Sequence, residues 1–572
     1  MDQLQKKFII ISLTLFLFTI GCALLIKSGG HLDLLPIFYH LFSRYDLPGS
    51  ILSILVLSAA IVIAFKIENA PFDRFIISMG NYPLRLAWLV VTLLGFGAFF
   101  IYQKFPLTAD EYMPCMQARI FAEGKLWGQY PPRLVPWLLL PDYFTVFSPE
   151  TGRFISDYWP GFALLLTPFM KAGAPWLLNP LVSGGTLALL WYYTKKVLPE
   201  SAEAPGWVLL LTIASPVFAA NGISFYSMSA HLFFNLIYAA LLLKLSYARL
   251  FAAGLVGSFA LVLHHPVPHL LFALPWIFWI GRQKGGISKL GILFAGYLPL
   301  SLWLGFGWVY LKLLIVKGNS PGSIGQEAGA LSAIPSQLQD PSFSGNIVII
   351  MLKKALTLIA NYVTFPTPDL LWARLIASLK IFVWAIPGLP ILAFLGVSHI
   401  RGNDHLQLWG WSALFTFAGY LFIPFSQGHG WGFRYFHSAW LWLPLLAAAF
   451  LTSNPANGKI WKRLIVTTAI LCIIFGISLR CYQIHQFISG HLSQGPRLTD
   501  GKKRICFFNT YYGYFLFDFV RNDPFLRNRI INLQSLGFKK DREMMAQFFP
   551  GAKEISRSVS VTIWELPDER GN

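Results

Sequence analysis

Carboxylates are scarce in this chain: 26 Asp and Glu stand against 45 Lys and Arg in 572 residues, and charged side chains make up only 12%. That little charge excludes both a charge-rich disordered chain and an ordinary string of soluble domains. Cysteine is rare as well, five in all, without the spacing of a zinc site or redox motif. Cys22 and Cys472 fall in apolar runs, where a thiol packs as a small hydrophobe. Cys115, Cys481 and Cys506 are expected outside the membrane; a Cys481 to Cys506 disulfide is open there and leaves Cys115 over.

What is abundant is apolar surface. Hydrophobic residues reach 55% and aromatics 16%, with a mean hydropathy of +0.56. Backbone polar groups in hydrocarbon must be satisfied within the segment, so these runs read as helices and the fold class is an all-α polytopic membrane protein. The pattern predicts about thirteen spans: residues 8–26, 50–65, 85–103, 175–194, 206–221, 228–246, 249–263, 267–281, 288–314, 372–398, 406–424, 438–452 and 461–480. Lys6 and Lys7 before the first run resemble a signal peptide, but no small-residue cleavage site follows, so an uncleaved span is expected.

Basic residues set the orientation. Lys6, Lys66, Arg74, Arg85, Lys195, Lys196, Lys244, Arg249, Arg282, Lys284, Lys289, Arg401, Lys459, Lys462 and Arg463 all fall on one side of this arrangement, which reads as cytoplasmic. The N-terminus is then cytoplasmic, and the segments 104–174, 315–371 and 481–572 are extracytoplasmic. The net charge of +19 is spread over these connections rather than gathered into an aromatic-rich stripe, which argues against nucleic acid and for anionic membrane lipids. The expected domains are two extra N-terminal helices and a cytoplasmic loop in residues 1–84, a transmembrane core in 85–480 with loops 104–174 and 315–371, and a small α/β module in 481–572. In that module strands are expected at 505–508, 530–533 and 559–566 and helices at 511–519 and 541–549.

With acids so few, Asp110-Glu111 stands out, because it falls where the chain leaves an apolar segment. Met113, Met116, Ile120 and Phe121 follow at helical spacing up to Gly124, which predicts an amphipathic helix lying on the membrane surface. An aromatic and proline-rich stretch continues through Trp127, Tyr130, Trp137 and Tyr143. Asp157 precedes Tyr158-Trp159-Pro160-Gly161 and an interfacial or re-entrant helix ending near Met170. Asp110 and Glu111 suit either a helix cap and dipole partner or a catalytic pair; Asp157 suits either a turn or an assisting acid.

Other polar groups fall at the same expected face: His231, His264, His265 and His269, and Arg434-Tyr435 in Gly-Trp-Gly-Phe-Arg-Tyr-Phe-His. They suit a phosphate pocket gripped by Arg434 and imidazoles, or a divalent metal site shared with Asp110 or Glu111, or hydrogen-bonded structural positions. No cofactor beyond that possible metal is called for.

On these residues the chain resembles the GT-C superfamily of membrane glycosyltransferases, in the branch of the protein mannosyltransferases and lipid A aminoarabinose transferases. Asp110-Glu111 with Ala118-Arg119 is similar to the family's first-loop acidic motif. Tyr158 to Gly161 through Asn179-Pro180 looks like the segment that follows it, and Ser215-Pro216, Ser229-Ala230-His231 and Phe433-Arg434-Tyr435 have the character of bacterial members. The likeness runs over about residues 85–450. The chain departs from it in the helices before residue 85 and in His264-His265-Pro266, where bacterial relatives often have a basic residue before proline.

The resemblance implies transfer of a sugar from a polyprenyl-phosphate donor to a lipid, glycan or protein acceptor at the outer face of a bacterial inner membrane, with inversion. Asp110 would be the general base, Glu111 and Asp157 would support it, and His231, His264, His265, His269, Arg434 and Tyr435 would bind substrate. A transporter or flippase of lipid-linked sugars is the alternative, and a receptor or assembly scaffold a third reading. Against transport, the ionisable residues gather at one face rather than at the midplane, and no repeat with paired broken helices is evident.

Overall fold

The structure is a computed structural model, and it describes residues 3–29, 36–67, 72–139, 144–317, 365–424, 427–453, 458–498, 500–512 and 515–567. Tyr143 and most of the 315–371 segment lie outside the described residues. The chain divides into two compact units. The first holds Met1–Lys104, Trp176–Ser301 and Ile347–His485, and the second Phe105–Pro175, Leu302–Asn346 and Gln486–Asn572.

Helices dominate. Among the described residues five are long and apolar enough to cross a membrane: Gln3–Ser28, Ile37–Lys66, Pro83–Ile101, Gly286–Val316 and Lys459–Leu492. The pair Ala204–Ile213 and Pro216–Ile223, bent by 63°, makes a sixth if taken as one span. The bend has a local cause. Pro216 has no N–H to continue the helical ladder, and the next amide, Val217, donates instead to the Trp384 carbonyl at 2.9 Å. The other expected spans correspond to shorter apolar helices, among them Met228–Leu241, Tyr247–Leu261, Val267–Gly281 and Trp442–Ser453, and to Leu178–Val197 and Asp404–Leu421.

Two features hold the first unit together that sequence periodicity does not display. Helices Tyr247–Leu261 and Gly286–Leu300 approach so closely at Gly254 and Gly296 that a β-carbon on Gly254 would stand 2.2 Å from the Leu293 carbonyl oxygen. Small residues at such a crossing let the backbones pack where lipid supplies no hydrophobic drive. The second feature is a buried ionic cluster. Asp46 accepts from Lys380 Nζ at 2.7 Å and from Trp384 Nε1 at 2.6 Å, and lies 3.0 Å from Arg480 Nη1. Gly49 leaves room for that guanidinium, which stacks over the Trp384 ring at 4.0 Å. Elsewhere in this unit Lys462 reaches both Glu203 (2.6 Å) and Asp73 (2.8 Å), joining three connections that the charge pattern assigns to one side.

The second unit is built around two small sheets. Strands β1 (Gly128–Gln129), β2 (Thr145–Phe147) and β3 (Arg153–Ser156) pair antiparallel with β3 in the middle. Strands β4 (Arg504–Phe508), β5 (Ile530–Gln534), β6 (Lys553–Arg557) and β7 (Val561–Glu565) form a sheet of order β5-β4-β7-β6, in which only β4 and β5 run parallel. Strand β4 is buried on both faces. Ile505 and Phe507 point into a core with Met113, Met116, Ile120, Tyr130, Phe154, Met544 and Met545, while Cys506 and Phe508 meet Val520, Val561 and Ile563.

The helix Ala109–Ala122 therefore differs from expectation. Its Met113, Met116 and Ile120 stripe is buried in protein rather than laid on lipid, each side chain worth about 2 kcal/mol in burial. Periodicity shows that a stripe is apolar but not what covers it. Around Tyr511–Phe519 the expected helix is also replaced, by a turn at Asn509, whose side chain accepts from the Tyr511 amide, and a single short turn at Leu516–Phe519. Cys481 and Cys506 both carry free thiols.

Candidate functional site

Asp110 occupies the second position of the helix Ala109–Ala122, and its neighbours, not Asp110 itself, cap that helix. Thr108 is the N-cap and forms a capping box with Glu111. Glu111 is fully buried, and its Oε2 accepts from the backbone N–H of Leu107 at 2.7 Å and of Thr108 at 3.4 Å. Such reciprocal bonding satisfies amides that the first helical turn leaves without partners. The capping reading of Asp110 thus moves to its neighbours, and Glu111 is held to the backbone.

Asp110 Oδ1 instead accepts a hydrogen bond from the Tyr158 hydroxyl. Tyr158 is itself placed from several sides. Gln117, on the same helix as Asp110, accepts from the Ser156 amide at 3.0 Å and so ties the end of β3 to that helix. Trp308 Nε1 donates to the Tyr158 carbonyl at 2.9 Å. Next to it, Asp157 forms an ion pair with Lys312 at 2.7 Å, the two side chains 33% and 21% exposed, and Lys312 also donates to the Asp157 carbonyl. The structure thus joins Asp110 and Asp157 through one β-strand end, with Tyr158, Trp308 and Lys312 completing the connection.

Arg521 secures the approach to this helix. It donates to the carbonyls of Pro106 and, at 2.9 Å, of Leu107, and its guanidinium lies 4.5 Å from the Phe105 ring centre and 4.8 Å from that of Tyr112. Burial pushes the Tyr112 phenol up, with Arg521 working against the rise, and the hydroxyl donates to the Asn522 carbonyl at 3.1 Å.

The remaining candidates belong to the first unit. Arg434 is 8% exposed; its Nη2 donates to the Gln427 carbonyl at 2.7 Å, its backbone amide donates to Gln427 Oε1 at 3.1 Å, and the guanidinium stacks on Tyr226 at 4.6 Å. Gly430, at φ +146°, leaves the space its methylenes fill. Tyr226 in turn bonds His429 at 2.8 Å. Tyr435 stacks flat on Tyr420, rings 4.5 Å apart, with Arg374 over its face.

The histidines divide. His269 is buried, and its ring bonds Asn235 Oδ1 and the Tyr297 hydroxyl, both at 2.8 Å. Since Asn235 Oδ1 can only accept, Nδ1 donates, and both ring nitrogens of His269 are hydrogen-bonded. His265 Nδ1 accepts from the Val267 amide at 3.4 Å at the start of the helix Val267–Gly281. His264 is buried at the same turn, and His231 is fully buried with neither ring nitrogen hydrogen-bonded. Among the described residues no group of three or more His, Cys, Asp or Glu side chains is arranged to hold a metal ion.

Comparison with solved structures places the architecture. The crystal structure of ArnT from Cupriavidus metallidurans bound to undecaprenyl phosphate superposes with a TM-score of 0.50, covering 85% of this chain and 98% of that one at 12% identity. The chain adopts an ArnT-like fold. The apo state of ArnT covers 84% of this chain and 97% of its own, with a TM-score of 0.48 and 12% identity. No protein-family model matches the sequence, and no curated protein sequence matches it significantly. The likeness to ArnT is therefore carried by helix arrangement rather than by sequence.

Proposed function

We propose that this chain is a membrane glycosyltransferase that moves a sugar from a polyprenyl-phosphate donor to an acceptor hydroxyl or amine, with inversion, at the outer face of a bacterial inner membrane. The observation that carries the proposal is the state of Asp110. On an ArnT-like fold, its helix is capped by Thr108 and Glu111, and Asp110 itself is oriented by the Tyr158 hydroxyl. ArnT in complex with undecaprenyl phosphate supplies the class of lipid carrier.

In this reaction Asp110 takes the proton of the acceptor as its oxygen or nitrogen attacks the anomeric carbon. The bond from that carbon to the phosphate oxygen breaks, and the polyprenyl phosphate leaves with the electron pair. A phosphate departs without a partner acid, so one base suffices where glycoside hydrolysis uses two carboxyls. Charge growing on the phosphate calls for a nearby cation, and Lys312, in the same unit as Asp110, is the candidate. Asp157 orients Lys312.

The test is Asp110→Asn in proteoliposomes supplied with polyprenyl-phosphate sugars. Transfer should fall by about 10² to 10⁴, the usual contribution of a general base, with thermal unfolding unchanged. Transfer at the wild-type rate would overturn the assignment, and lipid-linked sugar crossing the bilayer without transfer would establish a transporter instead.

A further inference from the structure

The charges of Asp46, Lys380 and Arg480 do not cancel. Their side chains are 1%, 1% and 3% exposed, and among the described residues Asp46 is the only carboxylate paired with either cation. Two buried cations thus share one anion, which leaves one positive charge in excess. The Tyr45 and Val383 carbonyls, the Gln483 side-chain oxygen and the Trp384 ring receive the guanidinium. Neutral acceptors solvate that charge without balancing it, and an uncompensated buried charge is costly.

Arg480 is also the charged end of a cavity of about 280 Å³, counting its open side, whose apolar walls include Leu52, Val56, Val383, Cys472 and Leu479. Pro216 brings the N-terminus of the half-helix Pro216–Ile223 to the same space, and that end of a helix favours negative charge. No carboxylate lines it. Leu52 and Leu479 are only half-buried, and Ile51, Leu55, Ile474 and Phe475 beside them are exposed apolar side chains. The cavity therefore opens sideways between two helices that face lipid.

Its depth follows from the helices that carry it, Ile37–Lys66 and Lys459–Leu492. At about 1.5 Å per residue, the stretches 46–66 and 459–480 each cover about 30 Å, the thickness of the hydrocarbon core. Lys66 and Lys459 fall on the side that the charge pattern assigns to the cytoplasm. Asp46 and Arg480 then come to the headgroup level of the opposite leaflet.

We propose that this cavity is a binding site for an anionic phospholipid of that leaflet: a phosphate oxygen reaches Arg480 from the side, an acyl chain lies along Leu52 and Leu479, and the net negative charge of the lipid balances the cation that Asp46 leaves over. Basic pockets between spanning helices hold anionic headgroups by the same physics. A zwitterionic lipid carries its own cation and leaves the excess in place, so the site discriminates by net charge.

The test uses the full chain in nanodiscs of phosphatidylcholine, with and without phosphatidylglycerol, read by native mass spectrometry and by thermal unfolding. Wild type should retain one phosphatidylglycerol and unfold at a higher temperature in its presence. Lys380→Met removes the excess charge, and Leu479→Trp fills the cavity without altering any charge; each should weaken retention by about fivefold or more, the worth of one cation near an anionic headgroup. Leu479→Trp carries the test if Lys380→Met does not fold. Retention at the wild-type level in either folded variant would overturn the proposal. So would chloride or inorganic phosphate raising the midpoint in phosphatidylcholine alone as far as phosphatidylglycerol does, since the site would then take a free anion. Displacement of the retained lipid by an equal amount of polyprenyl phosphate would mark a donor site and overturn it as well. No sugar transfer enters these measurements, so their outcome is independent of the role of Asp110.

Discussion

The Tyr158 hydroxyl donates to Asp110 Oδ1, while the Tyr158 backbone carbonyl is fixed by Trp308. One residue thus connects the first acidic helix, the end of strand β3 and the helix Gly307–Lys317. A carboxylate held in this way loses rotational freedom and keeps one orientation.

Removing the phenol should therefore slow transfer without unfolding the protein. A hydrogen bond to a charged acceptor is worth about 1.5–3 kcal/mol, which corresponds to a kcat loss of about tenfold or more for Tyr158→Phe. The ring would still pack beside Phe144. Single-turnover transfer alongside thermal unfolding would check this; a rate equal to wild type would show that Asp110 needs no such orientation.

Glu111 should behave differently from its neighbour. Glu111→Ala removes the acceptor for the Leu107 and Thr108 amides and should cost about 1–3 kcal/mol through a lost capping box and buried unsatisfied donors. Glu111→Gln keeps an acceptor oxygen and should retain most of the stability. Unfolding midpoints in detergent, set beside those of Asp110→Asn, would separate the structural acid from the chemical one. A more damaging Gln than Ala substitution would contradict this account.

The cluster in the first unit makes an asymmetric prediction. Asp46 faces both Lys380 and Arg480, so Asp46→Asn leaves two buried cations without their shared anion. Breaking a buried pair in that way costs about 3–5 kcal/mol. Lys380→Met leaves Asp46 and Arg480 matched one to one and should be the milder change, and adding it to Asp46→Asn should recover part of the loss. Folded yield and thermal midpoint of the three variants would read the order directly.

Asp518, buried in the short turn Leu516–Phe519, makes stability depend on pH. Its proton is held more tightly folded, at about 7, than unfolded, near the usual 3.8. The stabilising contribution is full below the unfolded value and is lost as pH rises through the folded one. Wild type should therefore lose up to a few kcal/mol from this group between pH 4 and pH 7. Asp518→Asn should flatten that dependence and be the more stable protein at pH 8. Parallel midpoint curves for the two proteins would refute it.

Much of the architecture was legible from local pattern. Apolar runs, proline placement and the scarcity of acids led to helices and to Asp110 at the start of one, and the continuous apolar run at 505–508 marked a strand, which the structure buries on both faces. The candidate site was legible only in part. Asp110, Asp157 and Arg434 could be singled out because charge is rare, but Lys312, which pairs with Asp157 from 155 positions away, left no signal, and neither did Tyr158 as the partner of Asp110.

By itself the sequence determined that this is a helical membrane protein and that a few carboxylates at a helix start merit attention, because burial periodicity and charge scarcity act over a few residues at a time. Tertiary structure alone decided which acid is locked into a cap and which is presented by a tyrosine. It also decided that Asp46 meets Lys380 across 334 positions. Each of these depends on distance and desolvation, which arise only when remote segments pack together.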